Sequence, residues 1–195
     1  PTIDPVVLTH RGDANQAAAM VSWATGGGMA GIRESRQLEI LTQVFSNRLL
    51  QAMREKSGAS YAPQVYSSWP VDMDSGGSIN AVAQIEPGAI PVFLATARQI
   101  AADLAANPPS ADELARVTEP LRQQVTRAAT GSAFFMYQLE GATQDPARID
   151  AVRTLLPDYS ETTPERMQAL ARRYLVPEKA WELVVVPETR SASAR

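Results

Sequence analysis

From Arg33 to Lys56 the chain runs without a proline or a glycine, and Leu38, Leu41, Phe45, Leu49 and Ala52 recur at three- and four-residue spacing. That spacing lays one apolar stripe along a single long amphipathic helix. Such a stripe has to be covered by another layer, and the flanking residues say which. Pro5 to Thr9 and Ala17 to Thr25 precede it, Tyr61 to Pro70 and Ser78 to Ile85 follow it, and all four runs are β-prone. The alternation is clearest around Met20-Val21-Ser22-Trp23. A helix against a sheet is therefore the expected core.

The remaining segments fill in the layers. Gly58 stands where a left-handed C-terminal cap belongs, and Pro63 prevents continuation. Asp72 to Gly77 is rich in turn residues and predicts a hairpin between the third and fourth strands. A second helix follows Pro87-Gly88, with Phe93, Ala97, Ile100 and Leu104 on one face, and Asn107-Pro108-Pro109 ends it. Ser110 and Glu113 form a capping box for a third helix through Leu114, Val117, Leu121 and Val125. Pro120 is expected to kink or break that helix.

Gly131-Ser132 restarts a helix through Phe134, Phe135 and Leu139, ending near Gly141, and a short helix from about Arg148 to Thr154 ends at Leu156-Pro157. Thr162 to Glu165 again has capping-box spacing, with Met167, Leu170, Ala171 and Tyr174 as the buried face behind it. Trp181 to Val186 reads as the last strand. Gly26-Gly27-Gly28 reads as a flexible connector, because no Gly-Lys-Ser/Thr follows and glycine is the default for irregular backbone. Helices cluster rather than alternate with strands. The expected fold is α+β, a mostly antiparallel sheet with helices packed on one face, forming a single domain over residues 1–188 with a polar tail over 189–195.

Composition removes several functions. A chain of 195 residues with 45% hydrophobic and 20% charged residues has the balance of a globular domain, and no stretch approaches 18 consecutive apolar residues, so no membrane span is expected. Pro1 to Asp4 has neither the basic region nor the apolar core of a signal peptide. The net charge of −3 and pI of about 5.3 argue against an electrostatic nucleic-acid binder. With no cysteine, thiolate metal sites and cysteine nucleophiles are impossible. With one histidine, His10, neither HExxH nor HxxEH can be written, and a zinc held by two histidines and a carboxylate cannot be built. No G-x-S-x-G elbow accompanies His10, which reads as a structural residue between a strand end and a turn. Taken alone, the chain is catalytically incomplete, with no catalytic or metal-binding residue of its own.

One stretch is more specific. Phe45-Ser-Asn-Arg-Leu-Leu-Gln-Ala-Met-Arg-Glu-Lys-Ser-Gly-Ala-Ser-Tyr61 resembles the second-half signature of the pitrilysin/insulinase family of zinc metallopeptidases, in which a helix carrying Ser-x-Arg-Leu and Leu-Arg-Glu-Lys runs into Gly-x-x-Tyr at the start of a strand. His10-Arg11-Gly12-Asp13 resembles the family's opening hairpin. Thr163-Pro164-Glu165, Tyr174-Leu175-x-Pro177 and Val184-Val185-Val186-Pro187 resemble its closing helix and strand, in the same order. The resemblance implies one domain of a two-halved protein enclosing a peptide-sized chamber, cut from a longer whole. One half carries HxxEH and zinc, on the same polypeptide or a separate subunit, and the other contributes an Arg/Tyr pair at the bound peptide. On this sequence the pair falls on Arg54 and Tyr61. Bacterial members of the family put the periplasm forward as one address.

The residues themselves permit that role. Arg54 lies 16 residues beyond Leu38, so at about 100° per residue it points roughly 160° away from the apolar stripe. Arginine offers five donors in a rigid fork, and a tyrosine hydroxyl can donate to a carbonyl or to the oxyanion that forms from it. The plainer alternatives are a solvent-facing Arg54 complementing the helix dipole and an ordinary strand Tyr61. Arg48 flanks the stripe and is expected in a structural salt bridge. Met29 and Ile32 are expected to be exposed and to meet the partner half. Asp72 and Asp74 are expected to be no more than a solvated turn. A non-proteolytic structural or interaction module of the same fold, like a respiratory-complex core subunit, is the alternative function.

Overall fold

The computed structural model describes residues 4–57 and 62–188; the tail expected over 189–195 lies outside them. The strands are β1 (Val6–His10), β2 (Ala17–Gly26), β3 (Gln64–Ser68), β4 (Ser75–Ile85) and β5 (Trp181–Pro187). The helices are α1 (Ile32–Ser57), α2 (Ile90–Ala106), α3 (Ala111–Ala128), α4 (Ser132–Gln138), α5 (Ala147–Ser160) and α6 (Pro164–Tyr174). The five strands form one sheet in the order β1-β5-β2-β4-β3. Three of the four pairings are antiparallel, and β1 with β5 is parallel. The fold is α+β with a mostly antiparallel sheet.

The period of two in the strands decides which face the helices cover. Ala17, Ala19, Val21 and Trp23 of β2 and Ile79, Ala81, Ala83 and Ile85 of β4 point to the helices and are buried. Against them lies the stripe of α1, with Leu38, Leu41, Phe45 and Leu49 buried and Ile40, Val44 and Met53 widening it. Trp23 and Phe45 meet with ring centroids 6.0 Å apart. Phe93, Ala97, Ala101 and Leu104 of α2 and Met167, Leu170 and Ala171 of α6 complete the core. α2 is long and apolar enough to match a membrane span by composition, yet it carries Arg98, ion-paired to Glu182 at 2.5 Å, and Asp103, paired to Arg48 at 2.7 Å. It is a helix of this core.

The opposite face of the sheet carries no helix among the described residues. There the register aligns Gln64, Val82, Met20, Leu183 and Val6 in one row across all five strands. Ser22 donates to Asn80 Oδ1 at 2.7 Å in the next row.

Four expectations need correction. The glycines after β2 are not a loose connector. Gly28 has φ +84°, its N–H donates to the Pro70 carbonyl at 2.8 Å, and its own carbonyl accepts from Trp69 Nε1 at 2.9 Å. A helical turn, Met29–Gly31, begins at once and leads into α1. The glycines make room, because side chains at Gly26 and Gly31 would collide with the Trp69 ring. Second, Pro120 and Pro157 break neither α3 nor α5. Both rings lie on exposed sides, and buried contacts of Leu114 and Val117, and of Leu155 and Tyr159, hold each helix together over the missing hydrogen bond. Third, the cap of α6 is Thr163, which accepts from Arg166 N at 3.2 Å, not Thr162. Fourth, Met29 and Ile32 are half-buried rather than exposed. Asp72 and Asp74 lie in an exposed turn, as expected, with Asp72 also ion-paired to Arg148.

The Ser110 capping box forms as the spacing predicts, with Glu113 N donating to Ser110 Oγ at 3.1 Å and Ser110 N to Glu113 Oε2 at 2.9 Å. Arg48 also grips Glu113, at 2.8 and 3.1 Å. Its guanidinium, with help from the Ser110 N–H, holds the Glu113 carboxyl down to about 2 from the ordinary 4.5. A depressed carboxyl stabilises above its unfolded value and loses that contribution as the pH falls from about 4.5 toward 2. Glu113 is 33% exposed, so solvent screening leaves about 1 kcal/mol at neutral pH. Urea midpoints of wild type and Glu113→Gln are expected to differ near neutrality and to converge by about pH 2. An undiminished difference at low pH would contradict this assignment.

Candidate functional site

Arg54 sits in the last turn of α1, one residue beyond the buried Met53 and on the exposed side that the angular arithmetic gives. Its neighbours in that turn satisfy each other, Gln51 Nε2 donating to Glu55 Oε1 at 3.1 Å. Arg54 itself has no hydrogen-bond or ion-pair partner among the described residues. Tyr61 lies outside the described residues. From Ala62 the chain enters β3 at Gln64, where Val65 N donates to Ser46 Oγ at 3.2 Å and ties the start of the strand to the middle of α1. β3 is an edge of the sheet, so among the described residues one side of its backbone is not paired to another strand.

Beside that edge, the helix-free face forms a hollow of about 630 Å³. Ala62, Gln64, Met20, Val82 and Leu183 line it, and among the described residues no charged side chain does. A second hollow of about 410 Å³ lies at the end of β1 and β4, lined by His10, Gln16, Gln84 and Glu86 among others. His10 spends both ring nitrogens on its own loop. Gly12 N donates to Nδ1 at 2.9 Å, so Nε2 carries the proton and donates to the Gln16 carbonyl at 2.8 Å. Neither nitrogen is left for a metal or a nucleophile. No three His, Asp or Glu side chains among the described residues could hold a metal ion.

Arg48, six positions before Arg54 on the same helix, does something different. It bridges α1 to Asp103 of α2 and Glu113 of α3, as a structural salt bridge. Asp72 and Asp74 do not form an acid–base pair, since Asp72 is engaged by Arg148. One buried ion pair and two tyrosine–carboxylate hydrogen bonds also fasten the helices. Arg36 meets Asp158 at 2.7 Å in the interior, Tyr159 donates to Glu39 Oε2 at 2.5 Å, and Tyr174 donates to Glu34. Burial and the adjacent carboxylate push the Tyr159 hydroxyl well above the usual tyrosine value, and push Tyr174 to about 12. Both phenols therefore stay protonated and act as donors at physiological pH.

No protein-family model matches this sequence, and no curated protein matches it significantly. Solved structures match it throughout. A peptidase M16 inactive domain from Pseudomonas fluorescens superposes with a TM-score of 0.71 at 18% identity, over 95% of this chain and 44% of that one. The inactive peptidase domain assigned to a zinc protease of Bordetella parapertussis gives 0.74 at 17% identity, over 93% of this chain and 98% of that one. A chain from Alicyclobacillus acidocaldarius described as an M16-like peptidase gives 0.71 at 15% identity, and this chain spans 43% of its length. The chain has the fold of these M16 peptidase domains, the inactive ones included.

Proposed function

We propose that this chain is the substrate-binding, non-catalytic domain of a zinc metallopeptidase that cleaves peptides or small unfolded proteins. The zinc and the HxxEH motif belong to a second half, on the same polypeptide or on a separate subunit, and Arg54 and Tyr61 contact the peptide. One conjunction carries the reading: the fold of inactive peptidase domains, on a chain whose single imidazole is already used by its own loop. Arg54 adds support, as a guanidinium without a partner among the described residues, while the nearby Gln51 and Glu55 are paired to each other.

The chemistry asked of this half is grip and register. A guanidinium fork donates to peptide carbonyls or a carboxylate, and a phenol can donate to a carbonyl that gains negative charge under attack. The unpaired side of β3 offers main-chain groups to an extended peptide. The test is peptide cleavage by the zinc-bearing half mixed with this chain. The chain alone is expected to be inert and to restore cleavage on mixing, with Arg54→Ala or Tyr61→Phe cutting the restored rate at least about tenfold. An unchanged rate in both variants would refute the clamp and leave the domain as a chamber wall. Stable association without cleavage would favour the non-proteolytic structural module.

A further inference from the structure

At the far end of α1 from Arg54 lies a third hollow, of about 470 Å³. From Arg36, which borders it, to Arg54 is 18 residues, or about 27 Å along the helix axis. The hollow is therefore separate from the clamp. Its floor is apolar, made of Met29, Ile32, Val71 and Ala151. Two guanidiniums reach it from different helices. Arg36 is 7% exposed and fixed by Asp158 at 2.7 Å and Thr154 at 3.3 Å. Arg148 is differently placed. It is largely buried, its Nε has no hydrogen-bond partner among the described residues, and its one counter-ion, Asp72, is 78% exposed. A buried cation whose counter-ion stands in solvent can exchange it for a better-placed anion. Tyr137, 77% exposed, stands at the rim, and Glu140 is the other carboxylate there.

We propose that this hollow binds the free carboxylate of a peptide ending in an apolar residue, Arg148 taking the carboxylate and the Met29–Ile32–Val71 floor taking the side chain. An arginine fork matches a planar carboxylate in a bidentate way. The rim carboxylates Asp72 and Glu140 disfavour a dianion such as phosphate, and the volume suits one or two residues. The same chemistry is offered by a short fatty acid, which the experiment separates.

The test is an NMR titration of the labelled chain with N-acetylglycyl-leucine, with its C-terminal amide, and with hexanoate. The acid is expected to shift Met29, Val71 and Tyr137 saturably, with a dissociation constant in the millimolar range. Arg148→Gln is expected to weaken it at least about tenfold, while Asp72→Asn tightens it several-fold by removing the competing carboxylate. A bridge with only a structural role would not tighten binding when broken from the Asp72 side. Equal binding of the amide, loss of affinity in Asp72→Asn, or no saturable shift would overturn the proposal. Hexanoate binding as tightly as the peptide would overturn the peptide assignment.

Discussion

Replacing Asp158 with alanine is expected to cost the domain about 3–5 kcal/mol, read as a fall in the urea midpoint at neutral pH. Asp158 is 2% exposed and Arg36 7%, so water screens the pair only weakly. Asp158 also accepts from Thr154 Oγ1 at 3.1 Å and lies 3.6 Å from Arg33. Removing it leaves the Arg36 guanidinium inside the protein with Thr154 alone. The cost is the desolvation of an unanswered cation, which is much larger than the net worth of the pair. For that reason the double variant Arg36→Met, Asp158→Leu is expected to recover most of the loss. A single-variant cost below about 1 kcal/mol would show that water reaches Arg36 and that the α1–α5 junction is looser than the geometry indicates.

Gly27→Ala is expected to destabilise by about 3 kcal/mol, and Gly88→Ala to be neutral or slightly stabilising. A Cβ at Gly27 would collide with the Met73 carbonyl oxygen and stand 2.9 Å from Ser75 N and 3.0 Å from Pro70 O. All three are backbone atoms, of the turn after β3 and of the first residue of β4, so no rotamer change relieves the clash. A Cβ at Gly88 meets nothing within 4 Å. Comparing the two melting temperatures isolates close approach from the general entropy cost of glycine. Equal effects would mean that the turn yields easily.

That contrast also marks what could be read from residues alone. The long stripe of α1, the Ser110 capping box and the buried face of α6 depend on spacings within one or two helical turns, and each is legible in a short window. The glycine run was not, because its reason is Trp69 and the Met73 carbonyl, more than 40 residues away. The prolines misled in the same way, since buried contacts on the far side of each helix outweigh one lost hydrogen bond. In the candidate site, the outward aim of Arg54 follows from angular arithmetic. The hollow around Arg148 does not, being assembled from four segments between Met29 and Ala151 with no shared motif.

The position of β5 governs when the domain can form. The strand made last lies between the two made first, with Val6 beside Leu183 on one side and Met20 beside Leu183 on the other. β1 and β2 are consecutive in sequence yet never pair, so the nascent chain must hold open a slot for a partner not yet synthesised. Until Trp181 to Pro187 leaves the ribosome, β2 has one uncovered edge and β1 has no sheet to join. Closure over so long a separation is slow, and the open slot is a site for mispairing meanwhile. The five-stranded sheet can therefore close only once β5 is available to fill the slot between β1 and β2.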